Sequence, residues 1–322
     1  MDELGAVLGS GVTTSMAVIE VSFDPLWLSQ GPFTLLLSWQ GLVAAAIVFV
    51  SLLVAALATV RYRASRPADV PADAPALRLD DLLFVSVAVV PGAVIGGRIV
   101  HGLDFADVYA SNLAALVDPA RGSLSLLGAV VGGSLTAAYI ARILSGGRPD
   151  WRRWLEVSAP LLLFLIVGAK FSQFLGGGGQ GVPWTGEQAV AFLGPGPWQS
   201  VAPAMPSVPA QLVEGAWAAF GVLVLAFVAG RLRFGTVFLW ALAWWLVGRI
   251  AIGFTWRDPA TIGPLNAEQA LAMLTLVAVA LLLFGGRVRA RLASDAGQPD
   301  GLAWPDRPID PTELPPAADR SS

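Results

Sequence analysis

Seven apolar stretches dominate this chain: Leu35–Val60, Leu82–Val100, Leu124–Ala141, Val157–Leu175, Pro209–Gly230, Phe234–Ile252 and Ala270–Gly286. A hydrocarbon layer about 30 Å thick takes about 20 helical residues, and about 17 at the lower end. Inside lipid, every backbone N–H and C=O must be paired within the protein, so such stretches fold as helices. The expected fold is all-α, a polytopic membrane protein with seven transmembrane helices. Composition agrees. Only 13% of the 322 residues are charged and 55% are hydrophobic, where a soluble domain carries roughly 25% charged residues. Such a chain lacks the polar groups to cover a globular surface, which argues against a soluble enzyme.

The basic residues set the orientation, because cytoplasmic connections carry an excess of Lys and Arg. Alternate connections, counted with the tail, hold fifteen basic residues on one side and two on the other. That asymmetry predicts an N-out, C-in chain with an odd number of spans. The expected organisation is an external N-terminal segment over 1–34, a membrane domain over 35–286 and a cytoplasmic disordered tail over 287–322. The first 32 residues contain no Lys or Arg, so they do not read as a removable signal peptide. Arg66–Ala76 is rich in Pro, Ala and Asp and reads as a cytoplasmic loop. The longest external connection, Gly176–Val208, opens on four glycines and holds Trp184 and Trp198. No internal repeat is evident, which argues against an inverted-repeat transporter.

Several chemistries are closed to this sequence. There is no Cys, so thiolate metal sites, disulfides and a Cys nucleophile are absent, and a single His leaves no His-based zinc site. A net charge of -3 does not fit a basic nucleic-acid binder. Gly176–Gly179 lacks the Lys-Ser/Thr that follows in a P-loop, so it reads as a flexible connector, and no cofactor is expected.

Charged groups inside spans are the informative ones, since each costs about 2.5–3.5 kcal/mol at a span centre. Arg98, Lys170, Glu214 and Arg249 qualify, and together they leave an excess of +2. An anionic ligand such as a phospholipid phosphate would supply the missing negative charge. Helical spacing places His101 one turn from Arg98, Gln173 beside Lys170, and Gln211 beside Glu214. His101 is the single imidazole, and an unperturbed pKa of about 6.5 suits proton transfer near neutrality. Plainer readings stand beside these. Arg98 and His101 also fit snorkelling to headgroups, Glu214 and Arg249 a structural ion pair, and Trp244 and Trp245 packing.

In order and spacing, these motifs resemble the bacterial prolipoprotein diacylglyceryl transferases. Phe23-Asp24-Pro25, Gly31-Pro32 and Ser38-Trp39-Gln40-Gly41-Leu42 look like that family's opening, with Gln40 where Tyr is usual. Gly96-Gly97-Arg98-Ile99, Pro209-Ala210-Gln211-Leu212-Val213-Glu214 and Gly248-Arg249-Ile250 match later motifs. The resemblance implies a seven-span enzyme of the bacterial inner membrane with this same orientation. It implies phosphatidylglycerol as lipid substrate and the signal peptide of an exported prolipoprotein as partner. The reaction moves diacylglycerol onto a lipobox Cys thiol and releases glycerol phosphate. By the same resemblance, Arg98, Lys170, Gln173, Gln211, Glu214 and Arg249 would bind substrate. If the protein is catalytic, His101, as the single imidazole and one turn from Arg98, is the expected replacement base.

The departures are specific. The family's proposed catalytic His aligns with Leu127. Its signature Arg-x-Gly-Asn-Phe-x-Asn-Gly-Glu aligns with Lys170 to Gly178, so Arg becomes Lys, the first Asn becomes Gln173, and the second Asn and the Glu become Gly176 and Gly178. The Glu soon after Arg249 becomes Gly253. Two readings stay open: an active transferase with altered chemistry, and a non-catalytic membrane protein that binds phospholipid or a lipoprotein signal segment. A transporter is a weaker third.

Overall fold

The structure, a computed structural model, describes residues 18–22, 25–30, 33–64, 79–117, 124–144, 151–193, 205–232 and 236–296. Phe23-Asp24, Gly31-Pro32, the Arg66–Ala76 loop, Trp198 and positions 297–322 lie outside the described residues.

Seven long apolar helices account for the expected spans. They are α1 (Trp39–Ala64), α2 (Leu79–Asp104), α5 (Leu126–Leu144), α6 (Trp151–Leu175), α7 (Ala210–Val228), α8 (Val237–Ile252) and α9 (Ala267–Ala296). Two short helices, α3 (Ala106–Ala110) and α4 (Ala114–Val117), follow α2. The chain divides into two compact units, Met1–Ala280 and Leu281–Ser322. The second contains, among the described residues, the last part of α9.

Three boundaries differ from the sequence expectation. Leu35–Ser38 is not part of the first span. It belongs to strand β3 (Phe33–Ser38), paired antiparallel with β2 (Pro25–Gln30). The apolar run is continuous across this point, so hydropathy alone cannot mark where strand gives way to helix. At the other end, α9 continues through Arg287, Arg289 and Arg291 to Ala296, where a disordered tail was expected from 287. The same helix begins at Ala267, three residues before the apolar stretch does.

Strand β1 (Ile19–Ser22) pairs in parallel with β4 (Val190–Leu193). Ser207 bonds back to Val190 in both directions through the backbone, each at 3.0 Å. The segment after Gly179 is stitched to its surroundings: Gly181 N–H donates to the Val208 carbonyl and Val182 N–H to the Thr255 carbonyl. This ties the chain between α6 and α7 to the start of α7 and the end of α8.

Close helix contacts rest on small residues, as expected where lipid supplies no hydrophobic drive between helices. Gly92 and Gly96 on α2 face Gly132 and Gly128 on α5, and a methyl group at any of the four would meet the opposite helix. Between α7 and α8 the device is reciprocal. Trp217 and Trp244 stack with centroids 4.4 Å apart and planes 8° from parallel. Each indole donates to the other residue's carbonyl, Trp217 at 2.8 Å and Trp244 at 3.0 Å. Each ring also covers a glycine one turn along the opposite helix, Trp217 over Gly248 and Trp244 over Gly221. An indole N–H in an apolar layer needs a partner, and the second lone pair of a helical carbonyl supplies one.

This clasp makes a graded prediction. Trp217→Phe keeps an aromatic ring but removes the donated bond and the pyrrole edge over Gly248, and should cost at least about 1 kcal/mol. Gly248→Leu fills the space that Trp217 occupies and should cost about 1–3 kcal/mol. Thermal unfolding in detergent reads both, and equal melting of Gly248→Leu and wild type would refute the packing role.

Candidate functional site

Three of the intramembrane charges meet at one point. Lys170 on α6, Glu214 on α7 and Arg249 on α8 are 1%, 0% and 4% exposed. Glu214 Oε2 lies 3.1 Å from Lys170 Nζ and 3.0 Å from Arg249 Nη1. Its other oxygen accepts a 2.9 Å bond from the Trp245 indole. Trp256, just beyond α8, presents its ring to both cations, 4.2 Å from Lys170 Nζ and 4.6 Å from the Arg249 guanidinium carbon. A cation over an indole face is favoured, most strongly when desolvated.

The network extends through a residue that the sequence reading missed. Arg249 also pairs with Glu268 on α9, and Glu268 accepts a hydrogen bond from the Ser125 hydroxyl at the start of α5. The Asp104 carboxylate at the end of α2 accepts the Glu268 backbone N–H at 3.1 Å. Glu268 escaped because the apolar stretch was counted from Ala270. Its sequence signal is a capping box. Asn266 Oδ1 accepts the Gln269 N–H at 2.7 Å and Gln269 Oε1 accepts the Asn266 N–H at 3.1 Å, which starts the helix before Glu268. With Glu268 included, Lys170, Arg249, Glu214 and Glu268 form a balanced set. The expected +2 excess is therefore reduced by the Glu268 carboxylate.

Gly176–Gly179 is an ordered turn rather than a flexible connector. Gly177 and Gly179 have φ of 66° and 64°, the left-handed region that suits glycine. Gly179 lies against the Trp256 ring, where a side chain would not fit. The Gly178 carbonyl accepts a 2.7 Å bond from Gln211 Nε2. Gln211 therefore joins the site through this turn. It also lines a cavity of about 250 Å³ between α6 and α7, with Val167, Phe171, Leu212 and Gly215 among its neighbours. Among the described residues, the buried amide oxygens of Gln173 and Gln211 and the Trp256 indole N–H have no hydrogen-bond partner. Unpaired polar groups of this kind are costly in an apolar layer and suit a polar ligand.

Arg98 and His101 lie on α2, not on the three helices that carry Lys170, Glu214 and Arg249. Arg98 is part-buried one turn before His101, on which it and Asp258 act electrostatically. The His101 ring lies 4.9 Å from Phe105 and 5.8 Å from Tyr109. Leu127, at the family's His position, is fully buried. Trp244 is a packing residue as expected, while its neighbour Trp245 is a hydrogen-bond donor inside the site.

The fold and site define a class: a multi-pass membrane protein with a buried, charge-balanced cation–carboxylate cluster at one end of its helices. The family model described as prolipoprotein diacylglyceryl transferase matches residues 32–285, and the chain belongs to that family. It is similar to the phosphatidylglycerol–prolipoprotein diacylglyceryl transferase of Listeria innocua, with 24% identity covering 83% of this chain and 91% of the relative. The enzyme of the same name from a Nostoc species is 27% identical over 84% and 90%. That from Halalkalibacterium halodurans is 26% identical over 84% and 89%. At this identity the chain is a divergent member.

Glu214 is the carboxylate on which both cations depend. Glu214→Gln should cost about 3–5 kcal/mol, the usual effect of stranding a buried charge. Thermal unfolding in detergent measures it, and a change below about 1 kcal/mol would mean that the pairs are not formed.

Proposed function

We propose that this chain binds an anionic phospholipid, phosphatidylglycerol or a lipid of the same headgroup chemistry, at the Lys170–Glu214–Arg249 cluster. Its family role is then to present diacylglycerol to the lipobox Cys thiol of a prolipoprotein signal peptide, with glycerol phosphate leaving. The observation that carries this reading is the meeting of Lys170 and Arg249 at one carboxylate oxygen and one Trp256 ring, with unpaired amide oxygens on Gln173 and Gln211, one helical turn from Lys170 and Glu214 respectively. Cations held in a water-poor site stabilise a departing phosphate. Because both cations are already paired, an incoming phosphate would take the place of Glu268 on Arg249. On this reading Arg98 and His101, on α2, are assigned to the outer edge of the same site. Arg98 is proposed to bind the lipid phosphate, and His101 is a candidate for the thiol proton.

The proposed setting is the bacterial inner membrane, N-out and C-in, with this site facing outward where exported acceptors arrive. The organisation is an N-terminal segment outside, a membrane domain and a C-terminal region in the cytoplasm. A second reading, a lipid-binding protein without transferase activity, is favoured by one observation: Leu127, fully buried, offers no group for proton transfer.

Complementation decides between them. In a strain depleted of its own transferase, expression of this chain should restore lipoprotein lipidation, and unrestored lipidation with intact lipid binding selects the second reading. Arg249→Gln should weaken binding to phosphatidylglycerol vesicles at least tenfold, a loss of about 1.4 kcal/mol, with little change for neutral lipid. Equal loss for both lipids would point to misfolding. Reporter fusions after Arg142 and Gly286 should read cytoplasmic and one after Gly181 external. A cytoplasmic signal at Gly181 would overturn the orientation.

A further inference from the structure

We infer that Lys170 accepts the proton of the acceptor thiol, in place of His101; this rests on the transferase reading above. Lys170 is the single lysine in a chain with 19 arginines, and it sits at the centre of the buried cluster. The groups that face it are Glu214 from α7, Arg249 from α8, and the Trp256 ring and the Asp258 charge from the segment after α8. Lys170 and Arg249 share one carboxylate oxygen, Glu214 Oε2. Arg249 has a second carboxylate in Glu268.

The two cations differ in what they can do. A guanidinium keeps its protons at any accessible pH, whereas a buried amine can give up a proton and take one back. Arg249 is therefore the fixed charge of the cluster, and Lys170 is its exchangeable one. His101 lies outside this network, on α2 among Phe105 and Tyr109.

The step balances within the reactants once the Lys170 ammonium has released a proton to solvent. The resulting amine takes the proton from the Cys S–H. The thiolate forms the S–C bond at the glycerol carbon that carries the phosphate ester. The C–O bond breaks, and its electron pair leaves on the glycerol phosphate. The Lys170 ammonium returns the proton to that phosphate, which restores the amine. Glu214 holds the amine in place throughout.

Lys170→Arg tests this directly, because it keeps the cation that pairs with Glu214 in the resting cluster and removes its ability to give up and take back a proton. Wild type and K170R are reconstituted in phosphatidylglycerol vesicles with a lipobox peptide. Thioether product is quantified by mass spectrometry from about pH 6 to 10, and lipid binding is measured in parallel. K170R should bind the lipid within a few-fold of wild type and lose about 100-fold or more in transfer near pH 7. Its rate should recover as the pH passes about 8.5, where the thiol ionises unaided. Transfer at the wild-type rate near pH 7 would make Lys170 a fixed cation, leaving the transferase reading intact. A loss that higher pH does not restore would also overturn the inference. Wild type that binds the lipid but forms no thioether would overturn both the inference and the transfer, while the lipid site stands. A protein with no preference for anionic lipid would overturn that site and the inference with it. Isotope-labelled lysine gives a second measurement, since one residue yields one NMR signal. That signal should titrate across the same range, and a signal constant throughout would overturn the proton-accepting role.

Discussion

Two cations buried in an apolar layer need a carboxylate, and Glu214 is where that need is met. Its two oxygens receive Lys170 from α6, Arg249 from α8 and the Trp245 indole. The consequence spreads outward. Arg249 reaches Glu268 on α9, and Glu268 takes a hydrogen bond from Ser125 at the head of α5. A single electrostatic requirement therefore ties five helices together at one end. An attraction of this kind is strong where water is scarce, and a missing partner is correspondingly costly.

The apolar packing around the network fixes its geometry. Glu214 lies one turn before Trp217, and Arg249 directly follows Gly248, so both sit beside the Trp217–Trp244 clasp. The clasp leaves α7 and α8 little freedom to slide, because each indole is bonded to the opposite backbone. On the other side, the glycine turn admits the Trp256 ring where a side chain at Gly179 would exclude it. The absence of a side chain at Gly179 is thus coupled to the presence of a large aromatic surface near both cations.

Much of this was legible from the sequence and some of it could not be. Spans follow from hydropathy because lipid leaves the backbone few alternatives. Lys170, Glu214 and Arg249 were legible because charge inside a span demands an explanation. Glu268 was not, since it stands just outside the apolar stretch and only the Asn266–Gln269 capping box marks the helix as starting earlier. Trp256 was not legible either. Its role depends on the Val182–Thr255 and Arg257–Gln180 backbone bonds that hold the segment after the glycine turn against the end of α8, a long-range pairing without a local signal. The strand at Leu35–Ser38 was hidden for the opposite reason: its residues are as apolar as the helix they precede.

The balance of charge also constrains how the site can recognise an anion. A cluster with a net positive charge would attract phosphate from any source. Here Glu214 and Glu268 offset Lys170 and Arg249, so a phosphate gains only when it replaces a carboxylate already in contact. Glu268 is the replaceable one, because Glu214 serves three donors and sits at the centre, while Glu268 serves Arg249 and Ser125 from the first turn of α9. The energy of displacement must then be recovered from contacts that free phosphate lacks. The apolar cavity between α6 and α7 and the amide oxygens of Gln173 and Gln211 provide them. An acyl chain can fill the first, and a headgroup hydroxyl can donate to the second. On the proposed lipid-binding reading, selectivity for a whole lipid over its phosphate would follow from pairing the cations internally.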